Sequence, residues 1–134
     1  VKISGCPNSC GQHWVSDLGF YGNARKIGGK ELPFYQMLLG GGYDASGTMR
    51  FGVAIQSLPA RLVPTAVHRV LEHYQANRQA DETFRDYVLR YKVETFRGMT
   101  SDLAKPAEIF PEMYKDWGDE TEFSLQLGRG ECAA

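Results

Sequence analysis

Two cysteines four positions apart constrain this chain more than anything else in it. They lie in Ile3-Ser4-Gly5-Cys6-Pro7-Asn8-Ser9-Cys10-Gly11-Gln12-His13-Trp14. A β-branched run ends at Ser4, Gly5 allows a tight turn, and Pro7 can open a helix because it lacks an N–H. The expected local structure is a strand over 1–4 and a short helix over 7–14. On a helix, residues i and i+4 share a face, and first-turn amides direct positive charge at whatever the thiolates hold. Soft thiolates select iron–sulfur clusters, zinc or copper(I) over hard cations. A cubane cluster takes four cysteines, and the chain has only Cys132 besides this pair. By spacing alone the motif is half of a cluster site.

Several readings of the pair are open at the level of residues. Two small buried thiols would be the plain one. His13 lies three positions past Cys10, so Cys6, Cys10, His13 and Cys132 form a candidate Cys3His zinc set. Asn8, between the cysteines, is placed either to hydrogen-bond a cluster sulfide or to cap the turn.

The segment Ser4-Gly5-Cys6-Pro7-Asn8-Ser9-Cys10-Gly11-Gln12-His13, followed by Asp17-Leu18-Gly19-Phe20-Tyr21-Gly22, resembles the second cysteine pair of the siroheme-dependent nitrite and sulfite reductases. The likeness continues through Leu39-Gly40-Gly41, the Leu58-Pro59 corner and Glu82, Phe84, Asp86, Val88 and Arg90, and becomes loose after Pro106. The resemblance implies that Cys6 is a 4Fe–4S ligand and that Cys10 is shared between the cluster and the siroheme iron, with Asn8 beside them. In that family a first pair, spaced Cys-x5-Cys, lies upstream, as do the Arg and Lys residues that grip the substrate anion and the siroheme carboxylates. None of these is in this sequence. The chain is therefore expected to be the C-terminal portion of a reductase, with no catalytic residue of its own and, when isolated, neither siroheme nor 4Fe–4S cluster bound and no turnover. The parent enzyme implied is one that reduces nitrite to ammonia or sulfite to sulfide with electrons from ferredoxin or a flavoprotein. The alternatives are a cofactor-less binding or structural module of the same fold, and the small zinc protein.

Composition narrows the partners. Of 134 residues, 43% are hydrophobic, which is a globular rather than a disordered balance. Fifteen basic against 16 acidic residues leave a net charge of −1, so no electrostatic footprint for nucleic acid or an anionic membrane is present. No apolar run reaches the ~20 residues of a membrane span. Three cysteines are too few for a disulfide framework, and a reducing cytoplasm or plastid stroma is the expected compartment.

Along the chain, alternation predicts strands over 17–26, 33–39 and 50–55, the last with Phe51, Val53 and Ile55 on one face. Pro64 opens a helix to Asn77 with Val67, Val70, Leu71 and Tyr74 as its stripe. Asp81 is the expected N-cap of a second helix carrying Phe84, Tyr87, Val88 and Tyr91 and ending at Gly98. Strands first and helices last imply an α+β fold, a mixed or antiparallel sheet with helices on one face. The domain is expected to span 1–105. The tail, 106–134, is irregular, with Ile109, Phe110, Tyr114, Trp117 and Phe123 anchored in grooves of the domain or on the rest of the enzyme. Gly40 to Gly42 suit close approach to a macrocycle or a plain turn. Arg25, Lys26 and Lys30 suit a solvated hairpin, siroheme carboxylates or an acidic ferredoxin. His68 and His73 are read as partly exposed helix residues, Glu82 and Arg90 as structural.

Overall fold

A computed structural model of the chain describes residues 1–125. Four strands, β1 (Lys2–Ser4), β2 (Leu18–Ile27), β3 (Lys30–Leu39) and β6 (Val53–Pro59), form a sheet in that order. β1 runs parallel to β2, and the other pairs are antiparallel. The sheet is therefore mixed. Gly28 and Gly29 both take positive φ (60° and 81°), which is the two-residue turn that suits the twist of a β2–β3 hairpin. Two short strands, β4 (Gly42–Tyr43) and β5 (Met49–Arg50), make a separate hairpin. Its loop is held by Asp44, which accepts from Ser46 and Thr48 and pairs with Arg50. Those bonds, the Ser46 hydroxyl first, hold its carboxyl at about 2.

Helices α1 (Val63–Asn77), α2 (Phe84–Met99) and α3 (Ser101–Ala104) follow. They cover the sheet face that carries Leu18, Phe20, Met37, Leu39 and Ile55, and bury Val63, Ala66, Val70, Tyr87, Val88, Phe96 and Leu103 against it. A second, smaller core lies around Leu32, Phe34 and Met113. The last of these comes from a 3-10 turn, Pro111–Tyr114, so residues 109–114 pack back onto the sheet. No helix among the described residues is long and apolar enough to cross a membrane.

The details depart from expectation in four places. The predicted 50–55 strand is broken between β5 and β6. Phe51 is 64% and Val53 40% exposed, so of that trio only Ile55 is buried. Between Gln36 and Leu38 the β3–β6 ladder slips by one residue, the extra one on β6, and this disrupts the simple alternation. In α1 the buried stripe is Val63, Ala66 and Val70, while Leu71 faces solvent. The N-cap of α2 is Thr83, whose hydroxyl accepts from the Asp86 amide, and Asp81 sits two residues earlier in the left-handed region at φ 59°. Finally, α2 runs past Gly98 to Met99 but is interrupted at Lys92, with φ 62° and ψ 160°.

Candidate functional site

The cysteines sit on a turn, not on a helix. After β1 the chain bends through Pro7 and Asn8, and the only helical piece before β2 is a 3-10 turn, His13–Val15. Ser9 and Gln12 take positive φ, 64° and 56°, which a continuous right-handed helix does not allow. The expected helix over 7–14 fails for an identifiable reason. The Gly11 N–H, which a helix would direct to the carbonyl four residues back, goes instead to the Ser4 hydroxyl at 3.1 Å. A nearby serine side chain competes with helical hydrogen bonding in this way. With the helix goes the first-turn dipole invoked to face the thiolates.

Ser4 is the hub of the turn. Besides accepting from Gly11, its hydroxyl lies 2.8 Å from His13 Nδ1. Ser4 is 5% exposed and His13 fully buried. The imidazole is packed beside Trp14 and Tyr21, with ring centroids 5.3 and 4.9 Å away. Burial lowers the His13 pKa below its usual 6.5, and the Nε2 atom has no hydrogen-bond partner among the described residues. His13 thus works as a buried prop under the turn. Two glycines let the turn seat on the sheet. A Cβ at Gly22 would lie 2.4 Å from the Gly5 carbonyl oxygen, and one at Gly41 2.4 Å from that of Trp14. Gly41 therefore makes room for backbone, where sequence reading offered a macrocycle or a plain turn. The Trp14 carbonyl also accepts from Gly52 N at 2.7 Å.

This framework leaves Cys10 and Asn8 exposed and Cys6 half-buried. Cys6 lines an open hollow of about 320 Å³. Its walls include Pro7, Gly22, Phe34 and Tyr35, with Asp116 and Phe123 from the C-terminal segment on the far side. Tyr35 is raised above its usual pKa, by burial first and then by the Asp116 charge. Nothing in the sequence before Pro106 points to that far wall; the tail aromatics were its only signal.

The pair thus offers one exposed and one half-buried cysteine, and a cubane takes four. Among the described residues, no group of three or more His, Cys, Asp and Glu side chains is arranged to hold a metal ion. The zinc set is not assembled there: His13 is turned onto Ser4, and Cys132 lies outside the described residues. The donor set fits a cluster as one half of its ligands.

The other candidates fall elsewhere. Lys30 pairs with Glu122, and Arg25 lies over the Phe34 ring at 4.5 Å, so two members of the basic hairpin have partners within the chain. His68 is exposed and faces Glu72, and His73 meets the Tyr87 hydroxyl. Burial pushes Tyr87 up to about 12. Glu82 and Arg90 form a two-pronged ion pair, with Glu82 Oε1 2.6 Å from Arg90 Nε and Oε2 2.7 Å from its terminal nitrogen. It closes the loop before α2.

Fold and site together describe an α+β unit that presents a pair of thiols on a rigid surface turn. The chain belongs to the nitrite and sulphite reductase 4Fe-4S domain family, whose model matches residues 1–107. It is 31% identical over 100 residues to the sulfite reductase [NADPH] hemoprotein beta-component of Nitrobacter winogradskyi, covering 73% of this chain and 16% of that protein. Identity is likewise 31% over 88 residues to the assimilatory ferredoxin-dependent nitrite reductase of Haloferax mediterranei, covering 66% of this chain and 15% of that one. The solved structure of the Mycobacterium tuberculosis NirA protein superposes with a TM-score of 0.59 at 26% identity, over 69% of this chain and 17% of that one. The chain thus spans less than a fifth of the length of these relatives.

Proposed function

We propose that this chain supplies one half of the cluster site of a siroheme-dependent nitrite or sulfite reductase. Cys6 and Cys10 would be two of the four 4Fe–4S ligands, with Cys10 also facing the siroheme iron and Asn8 beside both. The remaining ligands, the anion grip and the siroheme pocket would come from polypeptide outside these 134 residues. The observation that carries the reading is the turn itself: the family's cysteine motif is held at the surface, one thiol exposed and one beside a hollow.

When bound, an iron–sulfur cluster supplies one-electron transfer, its potential set by hydrogen bonds to sulfur and by burial. This chain's residues have narrower tasks. Cys6 and Cys10 offer thiolates at a fixed separation. Ser4, Gly11 and His13 keep the turn from relaxing, and the apolar walls beside Cys6 limit water on that side. A compartment that keeps thiols reduced, cytoplasm or plastid stroma, belongs to the proposal. Nitrite or sulfite as substrate, with ferredoxin or a flavoprotein as donor, is proposed on the names of the relatives.

The test is anaerobic reconstitution of the chain with ferrous iron, sulfide and a small dithiol that fills the absent ligand positions. The expected result is a brown protein with the paramagnetic signal of a reduced 4Fe–4S cluster, lost in both Cys6→Ser and Cys10→Ser. Equal retention of iron and sulfide by either serine variant overturns the reading.

A further inference from the structure

Residues 111–125 lie beyond the stretch that matches the family, yet they are fastened to the sheet at many points. Arg61, in the 3-10 turn that follows β6, donates to the backbone carbonyls of Glu112, Lys115 and Asp116 at 3.1–3.3 Å. Its guanidinium also lies 4.5 Å from the centroid of the Trp117 ring. One cation thus gathers three carbonyls and a ring, two of the carbonyls, those of Glu112 and Asp116, also accepting from the Lys115 and Asp119 amides. An arginine fork is suited to this and a lysine is not. The Trp117 indole donates to the Ala60 carbonyl at 2.9 Å, and the Tyr114 hydroxyl to that of Ile27 at 3.2 Å. Further on, Glu122 pairs with Lys30, and the Leu125 amide donates to Glu31.

Between the Arg61 fastening and Leu125 the segment passes Cys6. Asp116, Phe123 and Leu125 form the wall of the hollow opposite the cysteine turn. Met113 anchors the start of the segment in the second core, but beyond Tyr114 little apolar area holds it: Trp117 remains 56% and Leu125 47% exposed. A segment held by partly exposed hydrogen bonds over a small buried area opens at lower free energy than the strands beneath it.

We propose that residues 115–125 are a strap, anchored at Met113 and latched by Arg61, that controls access to the Cys6 thiol from the hollow side. Latched, the strap leaves a recess that admits small molecules and excludes large ones. Released, it opens Cys6 on that side while the sheet stays intact. The proposal concerns the chain before any cluster is bound, when Cys6 is a thiol, and so does not depend on whether the cysteines later ligate one.

The experiment is site-resolved alkylation of the whole chain, reduced and anaerobic. Cys6 labelling by a bulky reagent, fluorescein maleimide, is compared with labelling by iodoacetamide, and amide exchange is followed in parallel. In Arg61→Ala the bulky reagent is expected to label Cys6 about tenfold faster, the ratio that about 1.4 kcal/mol makes in an opening equilibrium. Labelling by iodoacetamide changes less. Amides of 115–125 exchange faster, and those of β2 and β3 do not. Arg61→Lys shows the same change, because an ammonium cannot reproduce the fork. Faster strap exchange with an unchanged Cys6 rate overturns the proposal. If Arg61→Ala deprotects the β2–β3 amides, Trp117→Phe, which loses the bond to Ala60 and keeps only a smaller ring beside Arg61, decides by the same two rates.

Discussion

Removing the Ser4 hydroxyl tests whether one side chain holds the cysteine turn. In Ser4→Ala two groups lose their partner: the Gly11 amide and His13 Nδ1. The amide is partly accessible and water replaces much of its bond. The imidazole is fully buried, and with Nε2 already unpartnered among the described residues neither ring nitrogen then has an acceptor or donor among them. A buried polar group so abandoned costs about 1–3 kcal/mol, a partly wet one less, for a sum of roughly 2–4 kcal/mol. For a chain of 134 residues that is a Tm lower by roughly 6–16 °C. Calorimetry and urea unfolding under reducing conditions measure it. The reasoning makes a sharper demand in a second background. His13→Phe keeps a ring beside Trp14 and Tyr21 but removes the nitrogens, so Ser4→Ala there loses only the Gly11 bond. The two changes should couple by about 1–2 kcal/mol. A Ser4→Ala cost under about 0.5 kcal/mol, or the same cost in both backgrounds, would refute the hub.

Lys92 is exposed and holds a conformation that is essentially glycine's, so Lys92→Gly should raise stability by about 1 kcal/mol, the relief of backbone strain exceeding glycine's entropic cost; a higher urea midpoint with an unchanged m value is the readout. Glu82 is held at about 2, chiefly by its hydrogen bonds from Arg90. Its folded pKa is depressed, so its contribution is full above the usual 4.5 and is lost as pH falls from there toward 2. Glu82→Gln should therefore flatten acid unfolding across that window and leave the profile above pH 5 parallel to wild type.

What the sequence discloses depends on how local the cause is. The β2–β3 hairpin follows from alternation and from Gly28-Gly29, and α1 follows from Pro64 and its spacing of apolar groups. The cysteine motif is recognisable because it is contiguous. The geometry of its turn is not, because it depends on where one N–H finds its acceptor: a reading of 7–14 alone favours the Pro7 helix, and only the Ser4 hydroxyl redirects Gly11. His13 attracts attention by its spacing from Cys10, whereas its burial follows from a seat provided by β2. Leu71 and Val53 face outward because the helix and the edge strand are set by contacts with α2 and β3, which no window around those residues contains. The wall opposite Cys6 is the extreme case, built by residues more than a hundred positions away.

The bond from Gly52 to the Trp14 carbonyl has a consequence for how the protein is made. The segment around Trp14 cannot take its final seat until the polypeptide through Gly52 has been synthesised and has found its place beside β3. Until then the nascent polypeptide carries these two sulfurs on a loose stretch, and any iron delivered in the interval meets a flexible dithiol rather than a prepared receptor.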